Sequence, residues 1–294
     1  KVAVIKDGTS GKVAVITGGT SGIAFGIAQE MIPFGFTRLI LTFFNNVDGA
    51  DNAKNKLEDD FPEVEVKLVK GNIAEEANIA LIFDVVDEFG RLDAVIHSAG
   101  TGMPGNRQQL GGGTMLKPDD SDVDFEDFDY YQSVYPKAFT RLIEHGLTRI
   151  PEGQQASFVA ISSPGCNATQ DVPNISTYDL RGMAKATLEM LVRYYGKRLA
   201  LRNITVNAVI PGTVFTKAWA NVAPPGVDAK TIFDEATKTI PMQRGANARE
   251  IGAAVAFLCS DKARYITGVV LPVDGGLHLG AVDPTTTNKT NKSV

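Results

Sequence analysis

Short apolar runs rich in β-branched residues alternate with longer amphipathic stretches along most of this chain. Alternation of this kind predicts repeated βαβ units, in which helices connect the strands of a parallel sheet. A run as uniformly apolar as residues 13–16 suits a strand that is buried on both faces. We therefore expect an α/β fold, with a doubly wound parallel sheet between two layers of helices.

The pattern predicts about seven strands, at residues 13–17, 39–43, 64–70, 92–97, 156–162, 204–209 and 269–273. It predicts helices at residues 22–34, 51–60, 78–89, 125–147, 181–201 and 250–259. We expect the long helix 125–147 to bend at Pro136. Residues 1–280 are expected to form one catalytic domain, and the tail 281–294 to be flexible.

Two stretches interrupt the alternation, residues 100–124 and residues 216–240. Long insertions in a compact domain are usually functional loops. The second stretch contains Trp219 and Phe233 and directly follows Phe215. These aromatic side chains predict a substrate lid over about residues 216–240, which would cover a small apolar substrate.

Composition excludes several classes of partner. The net charge of −5 over 294 residues argues against nucleic acid and against an anionic membrane surface. No apolar run reaches the ~20 residues that a bilayer span requires. The chain has only two cysteines, Cys166 and Cys259, so a disulfide framework is not expected. A cytoplasmic location is therefore expected. No spacing of acidic, histidine or cysteine residues predicts a metal site.

A glycine-rich turn joins the first predicted strand to the first predicted helix. Glycines allow such a turn to bring backbone N–H groups close to a pyrophosphate, and the helix N-terminus favours the anion. The turn therefore predicts a dinucleotide site, whose candidate contacts are Gly18, Thr20, Ser21, Gly22 and Ile23. An ordinary tight strand-to-helix turn has the same pattern, so the turn alone leaves both interpretations open.

The end of the second strand indicates which dinucleotide binds. An acidic residue there would bind the ribose 2′-hydroxyl and repel a 2′-phosphate, and residues 42–46 contain none. Asn45 and Asn46 can donate hydrogen bonds to a phosphate, as can Thr20 and Ser21. No arginine is well placed, because Arg38 precedes the predicted strand. NADP(H) is therefore expected in preference to NAD(H).

Five segments together resemble the short-chain dehydrogenase/reductase family: the turn 17–22, His97-Ser98-Ala99-Gly100, Ile161-Ser162-Ser163, residues 207–216 and residues 240–276. The resemblance implies a Rossmann-like three-layer αβα fold, hydride transfer at the carboxyl ends of the strands, and a homotetramer or homodimer. It also implies further cofactor contacts at Asn72, Ser98, Ala99, Gly100, Pro211, Gly212, Val214 and Thr216.

The catalytic pair is displaced from the usual family spacing. Lys185 matches the family lysine, but Arg181 stands four residues before it, where a tyrosine is usual. Tyr178 precedes Lys185 by seven residues, which resembles the enoyl-thioester reductase branch of the family. Two helical turns separate such a pair, so both side chains can share one helix face. Tyr178 would stabilise a developing oxyanion, and Lys185 would tune Tyr178 and bind the nicotinamide ribose.

Other positions leave alternatives open. Ser163 matches the catalytic serine of the family, but it can also be a plain serine at a strand end. Near the family's structural asparagine stands Tyr135, which puts the usual asparagine–water–lysine relay in doubt. His97 is expected to be a hydrogen-bonded strand-end residue, and Asn72 to face the adenine.

The sequence thus predicts an NADP(H)-dependent reductase that acts on a conjugated C=C, a C=O or a C=N bond. The alternative is a repurposed scaffold, which binds NADP and catalyses a cyclisation or isomerisation without redox chemistry. Arg181, Tyr135 and the lengthened loops motivate that alternative.

Overall fold

The computed structural model describes residues 11–100, 125–166, 179–216 and 227–280. Its strands are β1 (Lys12–Thr17), β2 (Phe36–Phe43), β3 (Glu65–Lys70), β4 (Ala94–His97), β5 (Ala156–Ile161), β6 (Ile204–Pro211) and β7 (Val270–Val273). Its α-helices are α1 (Gly22–Met31), α2 (Val47–Asp60), α3 (Glu76–Phe89), α4 (Phe125–Gln132), α5 (Ala138–Leu147), α6 (Asp179–Leu199), α7 (Ala229–Thr237) and α8 (Ala248–Leu258).

The seven strands form one parallel sheet in the order β3-β2-β1-β4-β5-β6-β7. This arrangement confirms the predicted α/β fold and every predicted strand to within a few residues. The strand order reverses between β1 and β4, the two central strands. In doubly wound sheets, ligands bind in the crevice outside the carboxyl ends of the strands at such a reversal.

Two apolar clusters fill the space on the two faces of the sheet. Alternate residues of β1 belong to different clusters: Val13 and Val15 to one, and Ala14 and Ile16 to the other. Helices α3, α5 and α6 cover the first face, and α1 and α8 cover the second. Burial of β1 on both sides is the reason for its uniformly apolar sequence.

Several helix boundaries differ from the prediction. The first α-helix ends at Met31 rather than at residue 34, because Pro33 has no N–H and the chain tightens into a 3₁₀ turn at Ile32–Phe34. The second helix begins earlier than predicted, because the side chain of Asn46 caps it. Arg38 lies within β2 and does not precede it, which corrects the sequence interpretation.

The predicted helix 125–147 is interrupted where a bend was expected. A π-helical segment, Ser133–Lys137, contains Pro136 and separates α4 from α5. A proline cannot donate the i to i−4 hydrogen bond, and insertion of a wider turn accommodates that loss. Cys259 directly follows α8 and is buried, and both cysteines are free thiols.

Only part of the predicted lid falls within the described residues, and Trp219 lies outside them. Residues 229–237 of this region form α7. Phe233 of α7 is buried and its ring meets that of Phe215 edge to face, with 5.0 Å between centroids. Within the described residues, no helix combines the length and the apolarity needed to cross a bilayer.

Helices α1 and α8 cross at two glycines, and this contact generates a stability prediction. A Cβ added to Gly252 would lie 2.5 Å from the carbonyl oxygen of Gly26. Gly252→Val is therefore expected to lower the free energy of unfolding by about 3 kcal/mol, at the upper end for overpacking against backbone.

Chemical denaturation of the parent protein and of Gly252→Val measures this change in the free energy of unfolding. The control is Ala253→Val, an exposed neighbour on the same helix, which should behave like the parent protein. Equal losses in the two variants would contradict close backbone packing at Gly252.

Candidate active site

The glycine turn lies at the reversal of strand order and touches the ends of three strands. Gly18 has φ +69°, and a Cβ there would lie 3.1 Å from the Cα of Ala99, which follows β4. The N–H of Gly18 donates to Thr42 Oγ1 of β2 over 3.0 Å. Since an L side chain rarely adopts this φ and has no room here, the position requires glycine.

The N-terminus of α1 opens towards solvent. Ser21 is its N-cap residue but makes no side-chain capping bond, and both Ser21 and Gly22 are exposed. Thr20 and Ile23 are partly exposed beside them. The first N–H groups of a helix have no intrahelical partner, so this end presents donors and a positive dipole to an anion. A Cβ on Gly22 would lie 3.7 Å from Thr216, which brings the end of the β6 loop to the same place.

Asn46 and Asn72, two predicted contacts with the adenosine half of the dinucleotide, each accept a backbone hydrogen bond within the protein. Asn46 is exposed after β2, and its Oδ1 accepts from the N–H of Gly49 over 3.0 Å, while Asn45 beside it is exposed. Asn72 follows β3, and its Oδ1 accepts from the N–H of Ala74 over 3.1 Å. Arg38 stacks its guanidinium 5.5 Å from the ring centroid of Phe89, within β2 rather than at its carboxyl end.

A hydrogen-bonded network joins the ends of β1 and β4. The hydroxyl oxygen of Thr17 accepts from the N–H groups of Ser98 and Ala99, over 3.0 and 2.9 Å. Its own proton is then directed to His97 Nδ1, 3.0 Å away. His97 Nε2 lies 3.0 Å from the carbonyl oxygen of Val134 and must carry the single ring proton, since a carbonyl only accepts.

These contacts require a neutral His97 with the proton on Nε2. Burial lowers its pKa from 6.5 to about 3, with the positive charge of Lys185 acting in the same direction. The structure therefore supports the expectation of a strand-end residue with hydrogen-bonding partners on both ring nitrogens.

Lys185 is a buried lysine at the carboxyl end of β5. Its Nζ donates to the carbonyl oxygen of Ile161, the last residue of that strand, and lies 3.9 Å from the ring centroid of Tyr135. Burial lowers the pKa of Lys185 to about 7. A lysine with so low a pKa at the mouth of a sheet is typical of a functional site.

A buried polar pair beside Lys185 was not predicted. Ser162 donates to Oε1 of Glu189 over 2.6 Å, and the Glu189 side chain is wholly buried. The signal in the sequence was Glu189 itself, four residues after Lys185 and thus on the same face of α6. Cys166 lies 3.6 Å from Ser162 Oγ, and burial raises the pKa of its thiol to about 11.

The predicted catalytic residues are only partly described. Ser163 is half-buried just after β5, two residues beyond Ile161, whose carbonyl oxygen accepts from Lys185. Tyr178 lies outside the described residues. Arg181 turns towards Tyr131, with its guanidinium 5.4 Å from that ring's centroid and Nη2 3.4 Å from the hydroxyl.

The loop after β6 closes the other side of the crevice. Pro211 ends β6, and a Cβ on Gly212 would lie 2.6 Å from the Cα of Asp274, so only glycine fits between them. Val214 is buried and pairs with Ala246 in an isolated parallel bridge. The side chain of Val214 therefore faces the protein, and Thr216 is partly exposed beside α1.

Comparison with known proteins agrees with this geometry. A family model described as Enoyl-(Acyl carrier protein) reductase matches residues 18–278. Enoyl-acyl-carrier-protein reductase (NADH) FabI of Salmonella typhimurium is 29% identical over 278 residues, covering 93% of this chain and 97% of its own length.

Two further similarities involve reductases. The hydroxynaphthalene reductase-like protein Arp2 of Metarhizium brunneum is 27% identical over 277 residues, 91% of this chain and 95% of its own. The solved structure of L-sorbose reductase from Gluconobacter frateurii, complexed with NADPH and L-sorbose, has a TM-score of 0.77 and 26% identity. It covers 91% of this chain and 96% of its own.

The neutral state of His97 predicts how stability depends on pH. The folded pKa is about 3 and the unfolded value is about 6.5, so the unfolded chain gains the proton first as the pH falls. Stability present above about pH 6.5 is then lost on acidification, by about 2 kcal/mol between pH 7 and pH 5.

A His97→Asn variant lacks this proton uptake. Its free energy of unfolding, measured by denaturation at pH 7 and at pH 5, should fall by about 2 kcal/mol less than that of the parent over the same interval. An equal fall in both proteins would show that His97 is not held neutral.

Proposed function

Because the chain belongs to the short-chain dehydrogenase/reductase family of oxidoreductases, we propose that it is an NADP(H)-dependent reductase. Its substrate would be a bulky apolar molecule with a conjugated C=C, a C=O or a C=N bond. The observation that carries the proposal is Lys185, buried at the carboxyl end of β5, the strand beside β4 and thus next to the crevice where the strand order reverses.

The described residues fit a nicotinamide dinucleotide. The turn at Gly18 leaves no room for a side chain, and the adjoining end of α1 offers N–H donors to a pyrophosphate. After β2, the exposed Asn45 and Asn46 bring no negative charge near a ribose 2′-phosphate. These features support a preference for NADP(H), although one of the relatives above is named for NADH and another was solved with NADPH.

We assign the reaction to residues at the sheet edge. The bound nicotinamide would supply the hydride, and negative charge would develop on an oxygen or nitrogen of the substrate. Tyr178 would donate a hydrogen bond to that atom, with Ser163 as a second donor. Lys185 would hold the ribose hydroxyls and favour the ionised form of Tyr178 through its charge.

The described part of the predicted lid supports an apolar substrate. Phe215 is half-exposed and packs on Phe233, so an aromatic surface lies close to Thr216 at the crevice.

Exposed Met183, Met190 and Tyr194 on α6 support a homotetramer or homodimer, because apolar groups on one helix face favour self-association. Two free thiols support a cytoplasmic location.

A second function is motivated by Tyr135, which stands near the position of the family's relay asparagine. In this alternative, the protein would bind NADP without transferring hydride and would catalyse a cyclisation or isomerisation. Product formation from one substrate with NADPH and with NADP⁺ distinguishes the two. Strict dependence on NADPH excludes the second function, and equal rates exclude the first.

The role of Tyr178 can be tested by Tyr178→Phe. Loss of the hydroxyl should lower kcat by at least about 100-fold, as for removal of a general acid. NADPH consumption with enoyl thioesters, ketones and cyclic imines measures this. The control is Tyr265→Phe, a fully exposed tyrosine that should retain the turnover of the parent. Parent-like turnover in Tyr178→Phe would rule out the assigned role.

The choice of cofactor can be tested by Asn46→Asp. Aspartate is also a good N-cap, so α2 should keep its start, while the new charge would repel a 2′-phosphate. The ratio of the NADPH Kd to the NADH Kd should rise at least about tenfold, or 1.4 kcal/mol. Fluorescence titration measures both constants.

The matched control is Asn52→Asp, which adds the same charge further along the exposed face of α2. It should leave the ratio of the two constants unchanged. A rise in both variants would reflect net charge alone, and no rise in Asn46→Asp would place the 2′-phosphate elsewhere.

A further inference from the structure

Tyr135 is the least expected residue around Lys185. Only 1% of its surface is exposed, and its hydroxyl donates to the carbonyl oxygen of Gly100 over 2.9 Å. The ring face lies against the lysine ammonium, with Nζ 3.9 Å from the ring centroid. At that distance the negative face of the ring attracts the cation and occupies space that water would otherwise fill.

The ring is held by the backbone around it. Tyr135 belongs to the π-helical segment Ser133–Lys137, between α4 and α5. The carbonyl oxygen of Val134 is bound by His97 Nε2, and the Tyr135 hydroxyl is bound to Gly100. Both contacts reach the carboxyl end of β4. A Cβ on Gly100 would lie 2.1 Å from the Tyr135 ring, so the ring requires glycine at residue 100.

Lys185 therefore has protein on both sides. The carbonyl oxygen of Ile161 accepts from Nζ on the strand side, and Tyr135 covers the helix side. Among the residues that the structure describes, the charged or titratable groups that act on Lys185 are Cys166 after β5, Arg181 and Glu189 on α6, and His97 on β4. Of these, Cys166 keeps its thiol proton and His97 stays neutral, because burial disfavours the charged form of each.

We propose that Tyr135 is a positioning residue for Lys185. The Tyr135 ring, in place of water, is the partner of the ammonium on the side that the carbonyl oxygen of Ile161 leaves uncovered. The ring acts in two ways. Its negative face favours the ammonium, while exclusion of water disfavours it. Burial by the surrounding protein is the largest cause of the shift that lowers the pKa of Lys185 to about 7.

One consequence is a lysine that changes charge near neutral pH. A pKa of about 7 means that Lys185 is an ammonium below this pH and a neutral amine above it. Binding of ribose hydroxyls and stabilisation of an ionised Tyr178 would both weaken as the pH rises through 7. This consequence rests on the proposed function, whereas the contact between Tyr135 and Lys185 does not.

A direct titration of Lys185 tests the contact with Tyr135 separately from the proposed function. The protein is labelled with ¹³C at the lysine Cε, and the chemical shift of Lys185 is followed by NMR between pH 5 and pH 11 without cofactor. A Lys185→Met variant identifies the signal. Because no turnover is measured, a protein that reduces none of the tested substrates would still report on Tyr135.

Three substitutions test the ring. Tyr135→Phe keeps the ring, so the midpoint of Lys185 should stay within about 0.3 pH unit. Tyr135→Asn admits water and should raise the midpoint by about one unit or more. Replacement of Tyr135 by pentafluorophenylalanine keeps the shape and reverses the charge of the ring face, so the midpoint should fall by about one unit.

The control is Tyr195→Asn, which makes the same change at a partly buried tyrosine of α6, ten residues along the helix from Lys185. It should leave the midpoint unchanged, and thermal melting checks that each variant is folded. If Tyr135→Asn does not fold, the fluorinated ring decides the question, because it preserves the packing. A midpoint that is unaffected by fluorination would overturn the proposal.

Discussion

The hydroxyl of Thr17 is the contact on which the rest of the crevice depends. It accepts two backbone N–H groups from the residues that follow β4 and donates to His97. One side chain thereby determines how the two central strands end relative to each other. His97 continues the chain of bonds to the carbonyl oxygen of Val134, so the same network also positions the π-helical segment. A buried network of this kind is stable only if every member has a partner.

The position of Lys185 follows from that network. Val134 and Tyr135 are consecutive, so the bond from His97 also places the Tyr135 ring over the ammonium. On the opposite side, the helix that carries Lys185 is attached to β5 by the bond between Ser162 and Glu189. Lys185 is therefore located by β4 and β5 together, and its low pKa is a property of the assembled fold.

The sequence was sufficient for the fold class, the strands and the glycine-rich turn after β1. Apolar alternation is a local signal, and the turn from Gly18 to Gly22 contains its own geometric requirement, a positive φ at both glycines. Lys185 was a candidate because the residues around it resemble a family pattern, which is a local signal. Helix ends were harder to predict, since α2 begins at a cap made by the side chain of Asn46.

Contacts between segments that are distant in the chain could not be predicted from such local signals. Glu189 looked like an ordinary residue of an amphipathic helix, yet it is wholly buried and bonded to Ser162. Tyr135 was known only as a departure from a family pattern. Where its ring lies depends on Pro136, on the wider helical turn around it and on two partners at the end of β4.

A repeated pentapeptide illustrates what the sequence determines and what the tertiary structure decides. Lys-Val-Ala-Val-Ile occurs at residues 1–5 and again at residues 12–16, and the structure uses the second copy for β1. The glycine that follows it, Gly18, has φ +69° and lies against Ala99, whereas Asp7 stands at the equivalent place after the first copy. The sequence by itself determined the glycine turn, because Gly18 adopts a positive φ at no steric cost and has no Cβ to meet Ala99. Only the tertiary structure decided how Lys185 is charged, because burial and the Tyr135 ring come from segments far apart in the chain.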